Sequence, residues 1–121
     1  MCGIWALITK AKFNSHHLEA YQTVKPRGPD HSTLHFGKSS IIGFHRLAIN
    51  DVHCVKAEQP FCRVEGDFKY TAICNGEIYN HQELREKYDL KIETSNDCSI
   101  VLPLFQALGD DFELLNQELH G

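Results

Sequence analysis

Several features that would assign a class at once are missing from this 121-residue chain. Its five cysteines, Cys2, Cys54, Cys62, Cys74 and Cys98, form no Cys-x-x-Cys pair, and their number is odd. Neither a disulfide framework nor a structural zinc site is expected, and a reducing compartment fits best. The eight histidines form no His-Glu-x-x-His pattern, and the neighbours His16 and His17 cannot share a helix face. No metal ligands are therefore assigned. No run approaches the ~20 apolar residues of a membrane span. Ile4 to Ile8 is too short for a signal segment and follows no basic stretch. A soluble, cytoplasmic protein with no membrane partner is expected. The 12 basic residues are scattered among 16 acidic ones, with a net charge of −4, so no nucleic-acid partner is expected either. Repeats, low-complexity stretches and linkers are also absent.

What is present reads as mixed α and β. Ile4 to Ile8 suggests a buried strand almost at the N-terminus. Ser15 to Lys25 suits a short helix capped by Ser15, with Leu18, Tyr21 and Val24 on one side and Pro26 as its stop. The turn formers of Pro26 to Asp30 imply a loop. Strands are expected at Ile41 to Phe44, Tyr70 to Cys74 and Leu90 to Glu93, with a loop over 50–60. Asn80 and Glu83 have capping-box spacing ahead of a helix carrying Leu84 and Tyr88. Residues 97–108 read as a helix capped by Ser95 or Asn96 and ended at Gly109. An interior Pro103 would cost it roughly 3 kcal/mol and should kink or break it. A last short helix would turn Phe112, Leu115 and Leu119 to one side.

Four places carry chemical potential. Removal of Met1 would free the α-amine of Cys2. That amine has a pKa of about 7.7–8.0, against about 8.5 for the thiol. It could thus act as the base for its own side chain, in the manner of an N-terminal nucleophile. Gly3 would let the chain bend closely around a ligand. An incidental cysteine is the plainer alternative. Asn75-Gly76 could aim a side-chain amide and a backbone N–H at an oxyanion, or could simply be a hairpin turn. Arg46, ending a strand, could clamp a carboxylate, or could be a surface or ion-paired arginine. Asp97 could hold an ammonium group, or could merely help cap a helix. Arg46 and Asp97 together would read the two ends of a zwitterion.

Six stretches, in order, resemble the glutaminase domain of class II glutamine amidotransferases, and among them the asparagine synthetase branch. They are Met1-Cys2-Gly3-Ile4, Arg27-Gly28-Pro29-Asp30, Gly43-Phe44-His45-Arg46-Leu47-Ala48-Ile49, Gln59-Pro60, Asn75-Gly76-Glu77-Ile78-Tyr79-Asn80-His81 and Asn96-Asp97-Cys98. The segment after Arg46 separates this branch from other class II members. The resemblance implies the αββα sandwich of N-terminal nucleophile hydrolases, here incomplete, with residues 1–121 as one truncated glutaminase domain. It implies Cys2 as nucleophile and Asn75 and Gly76 as the oxyanion site. Glutamine would also be bound by Arg46, by backbone around Leu47, Ala48, Ile49 and Asn50, by Glu77 and by Asp97. This domain would need no cofactor. ATP and magnesium would serve a separate synthetase domain that amidates aspartate to asparagine, in an enzyme expected to be a homodimer. Ser99 departs from the pattern, standing where the family often has an acid. The competing readings are a different class II amidotransferase and a truncated, inactive binding or regulatory module.

Overall fold

The computed structural model describes residues 2–49 and 57–121. Its contacts divide the chain into two compact units, residues 1–49 and 50–121. Both contain helix and strand, so the expected α+β class holds. Asn50, Cys54 and most of the loop expected over 50–60 lie outside the described residues.

The first unit is built on three antiparallel strands, β1 (Gly3–Ile8), β2 (His31–Phe36) and β3 (Ser40–Arg46), in the order β1-β3-β2. Strand residues alternate between faces, and the register aligns Trp5 with Gly43 and Gly43 with Leu34. On that face lies Tyr21 of helix α1 (Ser15–Gln22). Its ring stacks on His45 at 4.1 Å and meets Trp5 edge-on at 5.9 Å. A Cβ on Gly43 would come within 2.5 Å of the Tyr21 ring, so glycine is what admits the aromatic there. The Tyr21 hydroxyl donates to the Thr33 carbonyl at 2.9 Å. His45 is fully buried. Its Nε2 lies 3.0 Å from the Tyr21 carbonyl, which can only accept, so this nitrogen carries the proton. In the neutral ring Nδ1 then accepts from the Ser32 hydroxyl at 2.7 Å.

Three expectations change in this unit. β1 is not buried throughout, because its second face leaves Ile4 41% and Ile8 86% exposed. The strand β2 carries no apolar run and gave no sequence signal. The α1 cap is Asn14, one residue before the expected Ser15. Asn14 Oδ1 accepts from His17 N and His17 Nδ1 accepts from Asn14 N, both at 3.2 Å, a reciprocal cap with histidine in the glutamate role. The helix ends at Gln22, since Pro26 has no N–H to return to that carbonyl. Residues Lys25–Arg27 then form one 3-10 turn.

In the second unit β4 (Phe61–Glu65) and β5 (Phe68–Ala72) form a hairpin across Gly66-Asp67, with Gly66 at φ +57°. Three helices follow, α2 (His81–Lys87), α3 (Val101–Ala107) and α4 (Phe112–Glu118). They bury Ile78, Leu84, Ile100, Leu104 and Leu115 as one core, against which Tyr88 and Leu119 pack. Phe112 is largely exposed but keeps its ring 4.5 Å from Phe105.

The strand expected at Leu90 to Glu93 does not form. Arg85 instead donates to the Ile92 carbonyl at 2.8 Å and the Thr94 carbonyl at 3.4 Å. Its guanidinium occupies acceptors that a neighbouring strand would have used. Asn80 does stand at the start of α2, but its side chain makes no cap. The break expected near Pro103 lies just before it. Asp97–Ile100 is a 3-10 turn that passes into α3 at Val101. Pro103 thereby falls in the first turn of α3, where backbone N–H groups have no helical partner to lose.

Candidate active site

The first group of site residues gathers where β3 ends beside the start of β1. Register pairs Gly3 with His45, which brings Cys2 next to the residues that leave β3. The half-buried Cys2 Sγ accepts from the Leu47 backbone N–H at 3.4 Å and lies 3.8 Å from the Leu47 carbonyl oxygen. Arg46 is buried at the last position of β3, with only 6% of its surface exposed. Leu47 and Ala48 are half-buried and Ile49 is exposed. Of the residues expected around the glutamine, Cys2, Arg46, Leu47, Ala48 and Ile49 thus lie in this unit.

The Arg27-Gly28-Pro29-Asp30 stretch frames them. Arg27 Nε donates to the Cys2 carbonyl at 3.2 Å. Asp30 N–H donates to the Arg46 carbonyl at 3.0 Å, and Asp30 Oδ2 accepts from Ala48 N–H at 2.7 Å. A carboxylate accepting a backbone N–H is among the stronger neutral-to-charged bonds. Gly28 lies so close that an added Cβ would stand 2.0 Å from the His45 carbonyl oxygen. The density of turn formers predicted a loop here. The positioning roles of Arg27 and Asp30 were missed, and only the motif resemblance pointed to the stretch.

The second group lies in the other unit. After β5 the chain runs out through Cys74, Asn75, Gly76 and Glu77. The plain hairpin alternative for Asn75-Gly76 fails, since the hairpin turn is Gly66-Asp67. The Gln59 side chain holds the stretch like a strand partner, accepting from Cys74 N–H at 2.6 Å and donating to the Cys74 carbonyl at 3.0 Å. Gln59 leads into a cis bond to Pro60. Asp97 does not serve its own helix. Its Oδ2 accepts from the Ile78 backbone N–H at 2.6 Å, tying the start of the 3-10 turn to the stretch carrying Asn75, Gly76 and Glu77. Gly76 is exposed, its φ is not in the left-handed region, and a Cβ there would meet nothing within 4 Å. Neither packing nor backbone geometry requires glycine at this point. Ser99 is buried and spends its hydroxyl on the Asn96 carbonyl at 2.5 Å.

Among the described residues no helix is long and apolar enough to cross a membrane. None of their His, Cys, Asp and Glu side chains gather in threes able to hold a metal ion.

In one unit a sulfur lies against a backbone N–H beside a buried arginine, and in the other an Asn-Gly stretch is tied to an aspartate. The chain belongs to the glutamine amidotransferase domain family, whose pattern matches residues 1–120. Within that family it is similar to glutamine-hydrolysing asparagine synthetases. It is 32% identical to the enzyme of Zea mays over 117 residues, covering 93% of this chain and 19% of the relative. It is 33% identical to asparagine synthetase B of Escherichia coli over 113 residues, covering 91% and 20%. It is 38% identical to the probable asparagine synthetase of Acanthamoeba polyphaga mimivirus over 106 residues, covering 84% and 18%. The chain therefore spans about a fifth of the length of these relatives.

Proposed function

We propose that this chain is the glutaminase part of an asparagine synthetase, with Cys2 as its nucleophile. Once Met1 is removed, the Cys2 amine takes the thiol proton and the sulfur attacks the side-chain amide carbon of glutamine. Asn75 and Gly76 stabilise the oxyanion, and collapse of the intermediate releases ammonia and leaves a thioester. Water resolves the thioester to glutamate. Arg46 binds the α-carboxylate and Asp97 the α-ammonium group. Leu47, Ala48, Ile49 and Asn50, with Glu77, line the pocket. The fold that goes with this reading is the αββα sandwich of N-terminal nucleophile hydrolases.

The observation that carries the proposal is the Leu47 N–H directed at Cys2 Sγ at 3.4 Å, inside the frame set by Arg27 and Asp30. The unforced glycine at 76 adds to it, since a residue without Cβ lets a ligand approach its N–H. Ammonia would pass to a synthetase domain using ATP and magnesium to amidate aspartate, in a cytoplasmic homodimer. The residues of this chain are assigned no role toward ATP or magnesium.

The test is intact-mass measurement before and after exposure to 6-diazo-5-oxo-norleucine, an electrophilic glutamine analogue. A single adduct on Cys2 is expected, with Met1 gone, blocked by excess glutamine and abolished in Cys2→Ala. Retention of Met1, or labelling spread over Cys54, Cys62, Cys74 and Cys98, would overturn the mechanism. Loss of Met1 without any adduct would mean that the chain frees the nucleophile but does not bind glutamine.

A further inference from the structure

The stretch that follows Asn75-Gly76 is held from two sides. On one, Asp97 Oδ2 accepts from the Ile78 N–H at 2.6 Å. On the other runs the chain that leaves α4, where the Tyr79 N–H donates to the His120 carbonyl at 2.8 Å. Gly121 comes closer still. A Cβ on it would stand 2.2 Å from the Glu77 carbonyl oxygen and 3.5 Å from Ile78 Cα. A residue without a side chain is what lets that backbone approach the Glu77–Ile78 peptide.

Side-chain amides fasten both ends of this arrangement. Gln59 brackets Cys74, donating to its carbonyl and accepting from its N–H. Asn80 brackets the chain leaving α4 in the same way. Its Nδ2 donates to the Glu118 carbonyl at 2.8 Å, and its Oδ1 accepts from the His120 N–H at 3.0 Å. An amide carries the donor and the acceptor needed to stand in for a strand partner. Leu119 packs against the core that buries Ile78 and Leu115, so His120 and Gly121 follow directly from an anchored residue. Gly76 and Glu77, by contrast, are exposed. A Cβ on Gly76 would touch nothing, and its carbonyl accepts from the Cys98 thiol, a weak donor, at 3.4 Å. The place of these two residues is therefore set largely by what grips Glu77, Ile78 and Tyr79.

We propose that the His120-Gly121 backbone positions Asn75, Gly76 and Glu77 for glutamine. His120 and Gly121 are positioning residues, acting through the backbone of Glu77 to Tyr79 and not on the substrate. The inference rests on the roles proposed above for Asn75, Gly76 and Glu77, and adds the segment that fixes where they stand. Binding groups carried on an exposed stretch are effective only when their geometry is set before the ligand arrives. Asp97 sets one side of that stretch, and His120-Gly121 is the rail on the other.

The test measures how the rate of Cys2 labelling depends on the concentration of 6-diazo-5-oxo-norleucine. Two variants break the rail in different ways. Deleting His120 and Gly121 removes the acceptor of the Tyr79 N–H. Gly121→Ala sets a methyl against the Glu77 carbonyl but leaves every hydrogen-bonding group in place, so it still reads positioning if the deletion unfolds the chain. In both, the half-saturating concentration of the analogue should rise about tenfold, since an ångström of misplacement costs that much or more. Alkylation of Cys2 by iodoacetamide, which needs no glutamine pocket, should keep its wild-type rate. Lys87→Gln is the control. It removes the ion pair with Glu118 between α2 and α4, and should lower stability to urea without moving the half-saturating concentration. An unchanged half-saturating concentration in both rail variants, with the wild type labelled normally, overturns the positioning role alone. So does a rise that Lys87→Gln reproduces at equal loss of stability, which would make the rail a brace of the fold and nothing more. A wild-type chain that is never labelled rejects the glutamine reading itself, and the positioning role falls with it.

Discussion

A methyl group on Gly28 would lie 2.0 Å from the His45 carbonyl oxygen and 2.7 Å from the Arg46 carbonyl carbon. Both are backbone atoms, so no side-chain rotation can relieve the contact. One on Gly76 would meet nothing. The two glycines therefore part company in a test. Gly28→Ala should cost about 1–3 kcal/mol in denaturant unfolding, the usual penalty of overpacking. It should also slow labelling of Cys2, because Arg27 and Asp30 move with it. Gly76→Ala should change stability by no more than about 0.5 kcal/mol, yet remove labelling by the glutamine analogue. Equal destabilisation by the two substitutions would contradict the difference in packing. A turn-rich sequence identified Gly28 as loop. Its reason for being glycine lies in a strand end that arrives much later in the chain.

At the scale of elements, sequence patterns located the helices better than they described their ends. Asn80 illustrates this. Its spacing to Glu83 suits a capping box, but Asn80 Nδ2 donates to the Glu118 carbonyl at 2.8 Å and Oδ1 accepts from His120 N–H at 3.0 Å. The side chain joins the start of α2 to the end of α4, a partner that no local spacing can announce. Lys87 and Glu118 join the same two helices, with Nζ 2.8 Å from Oε2. Lys87 holds the Glu118 carboxyl below its ordinary range, and Glu118 raises the Lys87 ammonium above its own. A lowered carboxyl stabilises the fold above its unfolded pKa, about 4.3, and that contribution fades as pH falls through the folded value. A raised ammonium contributes below its unfolded pKa, about 10.4, and fades as pH rises through the folded value. Glu118→Gln should therefore lower Tm at pH 7, and the difference from wild type should vanish in acid. A difference that persists or grows below the unfolded carboxyl pKa would show that the pair is not its source.

For the whole molecule, the family match is to a glutamine amidotransferase domain, and the similar relatives are named as glutamine-hydrolysing asparagine synthetases. The chain corresponds to 18–20% of those relatives. In the proposed function Cys2, Asn75 and Gly76 cleave an amide, and no residue of this chain is assigned to activate a carboxylate. Given glutamine, aspartate, ATP and magnesium, this 121-residue chain should form no asparagine, as followed by amino-acid analysis. Asparagine appearing in an ATP-dependent manner would overturn the division of labour. The sequence by itself determined the α+β class, the family and the list of chemically able residues, because short motifs and apolar periods are local properties. Tertiary structure alone decided that Arg27 grips the Cys2 carbonyl, that Asp30 fixes Ala48, and that Asp97 serves Ile78 rather than its own helix. Each of those is a contact between residues distant in the chain, and such contacts arise only when the backbone closes the loops between them.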